Sequence, residues 1–450
     1  MRIQLSRNHG NILIVAVCTT AVIGVALTGY LSLTTNQSKA TMRSQAWNLC
    51  IPAAEAGVEE ALTHLYYSGG SNLAVNGWVA HDGKFVKQRG GNGDPTCYIT
   101  AISSDPNPTI VSRGLVQLPN RSGYIARSVQ VSTTRSGMFM RAMVAKGQIN
   151  MNGNNVRTDS FDSGDPAHST NGKYDPAKTK DGGDVASNAS LVNSVNVGNA
   201  NIHGRVATGP HGSIAVGSNG AVGSTAWQNA GHTGIEEGWS SDDMNVSFPD
   251  VQPPFSGGAF TPGSGAYGGT NYTYLLTGGN CQLSSLSMNG QQLMLVTNHT
   301  VLWVTGNVAL SGQAQIIIAT NSSLNLYVGV STGSGTSASL AGNGIMNDNI
   351  GNATNFFYHG LPSNTSLSFS GNAAFTGVIY APNAAFSLGG GGNTVYDFVG
   401  ASVSSTVTLN GHFNFHYDEA LGRIGPRRGY IITGWNEIIT SGNEMAWNEN

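Results

Sequence analysis

Residues Ile12 to Leu33 run for 22 positions without a single charged side chain. At a rise of roughly 1.5 Å per residue such a run spans about 33 Å as a helix, the thickness of a bilayer's hydrocarbon core. The helical pattern outlasts the lipid. Beyond a polar patch at Thr34 to Ser44, Trp47, Ile51, Ala54, Val58, Ala61, Leu62 and Leu65 recur at spacings of three and four, leaving Glu55, Glu59 and Glu60 largely off the stripe. The spacing predicts one long helix from Asn11 to Leu65, its first half in a membrane and its second half docked on a folded layer. Pro52 should kink it by freeing a backbone carbonyl.

Three other readings of this stretch are open. A secretory signal peptide has an apolar region of about 7–15 residues before a small-residue cleavage site, and this run exceeds that length, although Ser38-Lys39-Ala40 has the right residues. A lipoprotein signal needs a small residue before its cysteine, whereas Val17 precedes Cys18. A plain single-span anchor is the third. Arg2 and Arg7 precede the span and Lys39 and Arg43 follow it, a weak bias toward an inside amino terminus and an exported body. Ala16, Thr20, Gly24, Thr28 and Ser32 recur every four residues within the span. Small residues on one face allow close helix approach, and this row is the candidate packing face.

Arg7-Asn8-His9-Gly10, the apolar helix, and Ala53-Ala54-Glu55-Ala56-Gly57-Val58-Glu59-Glu60-Ala61 together resemble the amino-terminal module of type IV pilin-like proteins, most closely the PilX-like minor pilins. The resemblance covers residues 1–65. It implies removal of residues 1–10 by a prepilin peptidase, cutting between Gly10 and Asn11, and assembly with other pilin or pseudopilin subunits of a type IV pilus or type II secretion-like system. It also implies a single-pass protein of the cell inner membrane with its body in the periplasm or at the cell surface. One departure matters: major pilins carry Glu five residues into the mature chain, and that position here is Val15.

Gly at 61 residues, charged residues at 10% and a net charge of −3 describe a turn-rich, weakly charged exterior. No basic patch with interleaved aromatics is present, so nucleic acid is not an expected partner. Of the four cysteines, Cys50 and Cys97 are the pair a disulfide would join in an exported body, with free buried thiols the equal alternative.

From Ser68 to Arg135 the pattern alternates. Short strands are expected at 84–87, 97–102, 109–112, 114–118 and 125–131, separated by Asp94-Pro95, Asp105-Pro106, Asn107-Pro108 and Pro119-Asn120, which predicts an antiparallel meander covered by the helical stripe. Asn150 to Asn188 is polar and dense in Asp. Asp159, Asp162 and Asp165 could offer oxygens to calcium, but no EF-hand spacing or nonapeptide repeat accompanies them, which favours a solvated loop.

Beyond it an irregular repeat appears. Met288-Asn289-Gly290, Leu310-Ser311-Gly312, Leu340-Ala341-Gly342, Phe369-Ser370-Gly371, Leu388-Gly389-Gly390 and Leu409-Asn410-Gly411 punctuate short apolar pieces such as Val301 to Val304 and Leu324 to Val328. Steps of this order suit a repeat array, with each short strand pairing to its neighbours above and below. The expected fold is therefore mainly β with one long amino-terminal helix. Its parts are a leader (1–10), a transmembrane half-helix (11–35), a pilin-like helix and meander (36–136), a right-handed parallel β-helix head (137–422) and a carboxyl-terminal tail (423–450). A β-sandwich is the alternative for the head. Leu191 to Gly198 and Ile202 to Val206 read as earlier rungs, and Phe248 to Pro262 as an excursion. The runs 378–384, 409–411 and 416–421 resemble an uncharacterised domain found downstream of anchor segments in bacterial envelope proteins.

Catalysis is not expected. From Thr270 to Asn414 the only acids are Asp348 and Asp397, and Lys and Arg are missing, so neither paired carboxylates nor a cation beside a uronate is available. His299, His359, His412 and His416 read as structural hydrogen-bonders, and no cofactor is called for. The expectation is a display or scaffold protein, structural or adhesive. The alternative is an anchored envelope protein that binds surface glycans without a pilus partner.

Overall fold

The computed structural model describes residues 10–68, 73–91, 93–105, 107–118, 123–136, 139–152, 156–347, 352–371, 375–389, 396–410, 413–423 and 429–438. Leader residues 1–9, Asp348 and His412 lie outside these. The chain forms two compact units, residues 1–136 with 427–450, and residues 137–426.

In the first unit a single helix, α1, runs from Gly10 to Ser68 without a break, Pro52 included. Residues 12–45 are exposed along their whole length. The buried stripe that follows is made of Ala46, Cys50, Ala53, Ala54, Val58, Ala61 and Leu65. This corrects one expectation: Trp47 is not on the docking face but 48% exposed, with the Arg127 guanidinium 5.0 Å from its ring. Ile51 and Leu62 flank the core. Small residues take the centre because helix and sheet come very close. A Cβ on Gly114 would lie 2.1 Å from the Cys50 carbonyl oxygen, and one on Gly57 2.2 Å from Thr100 Oγ1.

The sheet beneath is antiparallel, in the order Val79–His81, Lys84–Arg89, Thr96–Ser103, Thr109–Gln117, Tyr124–Ser136 and Gly429–Ile438. The pieces expected at 109–112 and 114–118 are one strand alternating between half-buried and buried, because Gly114 continues the pleat. The last strand comes from the segment expected as a tail. It pairs with Tyr124–Ser136 from Ser136↔Gly429 to Ser128↔Ile438, so residues 137–426 enter the chain between two strands of one hairpin. Glu60 ties helix to sheet. It lies 2.8 Å from Lys87 Nζ, accepts from the Arg89 guanidinium at 2.7 Å and from Tyr98 Oη at 3.0 Å.

In the second unit short strands stack in three columns, and every ladder within the columns is parallel, which is not the pairing of an antiparallel sandwich. In one column His299–Val304 pairs with Ser323–Val328, and that with Phe356–Gly360. In the next, Val308–Leu310, Thr336–Gly342 and Asn364–Gly371 follow one another. The third holds Leu293–Val296 and Gln315–Ile318. Alternation sends Leu324, Leu326 and Val328 inward and Asn325 and Tyr327 outward. Stacked Phe375, Phe398 and Phe415, at centroid distances of 4.4 and 4.3 Å, continue the interior. Residues 191–194, expected as part of a rung, form a turn, with Leu191 and Val192 exposed; the strand begins at Val195.

The order of the stack differs from the order of the chain. Tyr396–Leu409, near the end of the unit, pairs with Met143–Ala145 and Ile149–Met151 at its start, and Phe413–Asp418 pairs with Arg157–Phe161. The chain thus enters in the middle of the stack, builds outward to Ser240–Ser241, crosses to the other end, and builds back until its last strands meet its first. The crossing is a strap. Asn188 Nδ2 donates to Val246 O, Tyr380 Oη to Pro249 O and Asn383 Nδ2 to Asp250; Phe255 packs edge-on to Trp303, and Phe260 bridges to Cys281. From Val185–Ser187 to Gly279–Leu283 there are seven pairing steps. At about 4.8 Å per step that is roughly 34 Å, and the 14 residue-to-residue steps from Val246 to Phe260 reach about 45 Å when extended. The strap is long enough. A coil built in simple chain order would leave its ends at opposite poles, whereas this order brings them together at the seam, as entry through one hairpin requires.

Candidate functional site

Two polar features sit on the outer face of the ladder that runs through Phe413–Asp418, Arg157–Phe161, Asn201–His203 and Ala221–Gly223. The first lies at the seam. Asp159, on Arg157–Phe161, and His416, on Phe413–Asp418, are neighbours in the ladder. His416 Nδ1 lies 2.5 Å from Asp159 Oδ1, and its Nε2 lies 3.2 Å from Asp397 Oδ1. Tyr174 stacks on the imidazole at 3.6 Å and donates its hydroxyl to Asp159. Arg157 Nε stands 3.0 Å from the other Asp159 oxygen. Burial alone would push the His416 pKa down; the hydrogen bonds and charges of the two aspartates overcome this and raise it. Asp397 is correspondingly held below the ordinary carboxylate range, chiefly by its bond to His416.

Around this pair the Asp-rich segment acts as a clasp. Asp162 takes a two-pronged contact from the Arg423 guanidinium, which lowers its pKa. Asp418 accepts from the backbone and hydroxyl of Ser163, and Glu419 from Ser160 and Lys180. Asp165 receives the backbone N–H of Ala167. The candidate calcium ligands therefore do not converge: Asp159 and Asp162 are buried against different cations, and Asp165 caps a turn. A wholly solvated loop is also not what forms, because Asp159 is fully buried. Among the described residues no group of three or more His, Cys, Asp or Glu side chains is placed to hold a metal ion. The arrangement's chemistry is that of charge-paired fastening.

The second feature is a cleft of about 570 Å³ just beyond the clasp, lined mostly by polar residues, among them Arg157, Asn201, His203, Asn219 and Gln228. Register explains it. Arg157, Asn201 and Ala221 stack in one row. Ala221, being small, leaves a hollow above Asn201, and His203, two positions further along the same strand, lines it as well. The short helix α2 (Thr225–Asn229) makes one wall, capped by Ser224 accepting from Trp227 N–H. Gln228 Nε2 fastens it to the carbonyls of Ile202 and Gly223. Thr225 donates its hydroxyl to Asp181, so the 3.0 Å contact between that hydroxyl and His203 Nδ1 has the imidazole as donor. His203 is 6% exposed, and burial, then the Arg157 charge, pushes its pKa down, leaving a neutral ring whose Nε2 is an acceptor. Sequence reading passed over this cleft, since Asn, Gln and Thr are common throughout the chain and only the strand register gathers these.

The candidate packing face Ala16, Thr20, Gly24, Thr28 and Ser32 lies on exposed α1, with the Thr20 and Thr28 hydroxyls bonded to the Ala16 and Gly24 carbonyls of the same helix. Gly10 opens the helix and Asn11 follows within it. Cys50 and Cys97 are both free thiols, Cys50 Sγ lying 3.2 Å from the Ala46 and Ile125 carbonyls. Burial raises both pKa values.

Residues 270–424 match the model of a domain of unknown function, DUF7305. No curated protein matches the chain. Among solved structures, the competence-associated pilin ComZ from Thermus thermophilus aligns over 87% of this chain and 97% of its own, at 14% identity and a TM-score of 0.29. So loose a superposition carries no argument about fold or function, and the matched domain brings no activity with it.

Proposed function

We propose that this chain is a membrane-anchored, PilX-like minor pilin or pseudopilin, without enzymatic activity, that displays a right-handed parallel β-helix head in a structural or adhesive role. The observation that carries the reading is the continuity of α1. Its uncharged segment Ile12 to Leu33 is exposed and long enough to cross a bilayer, and its second half packs on an antiparallel sheet through Ala46, Cys50, Ala54 and Val58. A lone anchor has no need to extend rigidly into a folded layer; a subunit that packs its helix among others does. The three parallel columns, joined in succession, support the β-helix reading of the head.

Cleavage between Gly10 and Asn11 would leave an ammonium at the membrane boundary that can meet a neighbour's buried Glu. Val15 offers no carboxylate in return. An unpaired buried charge is costly, so the chain can end or start a fibre but not build one alone. The small-residue face from Ala16 to Ser32 is the surface it would offer partner helices. Mass spectrometry of the amino terminus from inner membranes tests this: a start at Asn11 is expected, and an intact Met1 or a start at Thr41 overturns it. The second reading, an anchored glycan-binding protein with no pilus partner, is favoured by the polar cleft and would then stand.

A further inference from the structure

We propose that the cleft between the clasp and α2 binds a small carboxylated saccharide, a uronic acid or a short oligomer of one, its carboxylate on Arg157 and a ring hydroxyl on His203. Three observations converge. The cleft's size suits a small ligand, and its walls are mostly amides and hydroxyls, which match a hydroxyl-rich molecule rather than an apolar one. Arg157 supplies the permanent charge among the lining residues. Its Nε lies 3.0 Å from Asp159 without a hydrogen bond, and among the described residues its terminal nitrogens make no hydrogen bond either, which leaves a planar edge for a carboxylate. His203, nine-tenths buried, has its Nδ1 hydrogen committed to Thr225, and among the described residues its Nε2 has no protein partner. A lone pair fixed in that way asks for a hydroxyl donor. The imidazole of His232, stacked on Trp227 at 5.1 Å, adds a flat face at the edge on which a sugar ring can lie.

The row Arg157, Asn201, Ala221 sets these groups at successive strands, about 4.8 Å apart. Ala221, which lines the cleft, matters by being small: a larger side chain there would fill the hollow. Of the aspartates nearby, Asp159 is paired with His416 and Arg157, and Asp181 accepts from the Thr225 hydroxyl.

This deepens the display role and rests on it only for where the ligand is met. The test uses the full chain purified in detergent micelles, titrated by calorimetry and by ligand-observed NMR with di- and trigalacturonate and with the neutral galactose oligomers of the same length. Uronate binding at least tenfold tighter than neutral sugar is expected. Arg157→Gln should erase that preference. Because Arg157 also touches the clasp, Asn201→Ala is the second variant: it keeps the backbone ladder and should weaken uronate binding about tenfold with an unchanged melting curve. No uronate binding, or binding that is blind to the carboxylate and to both variants, overturns the proposal. An intact amino terminus would condemn the pilin reading without touching this result, so the two can fail separately.

Discussion

His416 Nδ1 meets Asp159 Oδ1 at 2.5 Å across the join between the last and the first strands of the second unit, 257 residues apart in sequence. That pair fastens the seam of a stack whose chain begins in its middle. Breaking a buried pair by removing one partner strands the other charge, at a cost of about 3–5 kcal/mol. His416→Gln should therefore lower the melting temperature of the head. The pH dependence has a defined sign. The pKa of His416 is raised on folding, so its contribution is complete below the ordinary histidine value of about 6.5 and is lost as pH climbs through the raised value. His203, depressed, acts oppositely, contributing above about 6.5 and less below it. The difference between parent and His416→Gln melting curves isolates the first effect; it should shrink as pH rises above about 6.5. A constant difference would mean that His416 is not charged in the fold.

Gly114 sits under the Cys50 carbonyl, and a Cβ there would stand 2.1 Å from that oxygen and 2.6 Å from the Ala54 nitrogen. Both are backbone atoms of α1 and cannot swing aside. Gly114→Ala should force helix and sheet apart and destabilise the first unit by about 1–3 kcal/mol, the usual range for overpacking. Gly91→Ala, with open space around it, is the control. Thiol labelling of Cys50, now fully buried, reads the opening directly: faster labelling in Gly114→Ala only is the expected result.

Glu60 is held down to a pKa of about 2, because the hydrogen bonds from Arg89, Lys87 and Tyr98 outweigh the upward push of its burial. A depressed carboxylate stabilises above its unfolded value and loses that contribution as pH falls through the folded one. Stability of the first unit should thus decline between about pH 4.5 and 2 through this group. Glu60→Gln should cost about 1.5–3 kcal/mol at pH 7 and flatten that decline. Acid unfolding followed by the helical circular dichroism band is the measurement.

If the strap 246–260 only returns the chain to the far pole, it can be cut. A circular permutant that joins residue 423 to residue 139 by a short Gly/Ser linker, within the two flanking strands, and opens the chain at Gly257-Gly258 should keep a β-rich spectrum. Gly257 and Gly258 have open space around them, so new ends there disturb little. Opening instead at Asn325, inside a central strand paired on both sides, should abolish cooperative melting. Equal behaviour of the two permutants would refute the stack order described above.

Much of the architecture was legible in residues alone, because it rests on local periodicity. The uncharged run from Ile12, the three-and-four spacing to Leu65, the alternation from Lys84 to Val131 and the Gly-punctuated pieces after Met288 each report which face of an element is apolar, and a face is a property of neighbours in sequence. Where that signal failed it failed for a physical reason. Spacing puts Trp47 on the inward stripe, yet the first turns of the docked half approach the sheet so closely that small residues such as Ala46, Cys50 and Ala53 take the contact instead. Asp159 and Asp162 read as solvated because the partners that help bury them, His416 and Arg423, lie more than 250 positions away. The strand Gly429–Ile438 and the cleft around His203 have no local signature either, since each depends on which distant segment supplies the next backbone hydrogen bond. Periodicity says what a strand buries. Which strand lies beside it is settled by long-range pairing, and here that pairing puts the two ends of a 290-residue unit at a single seam.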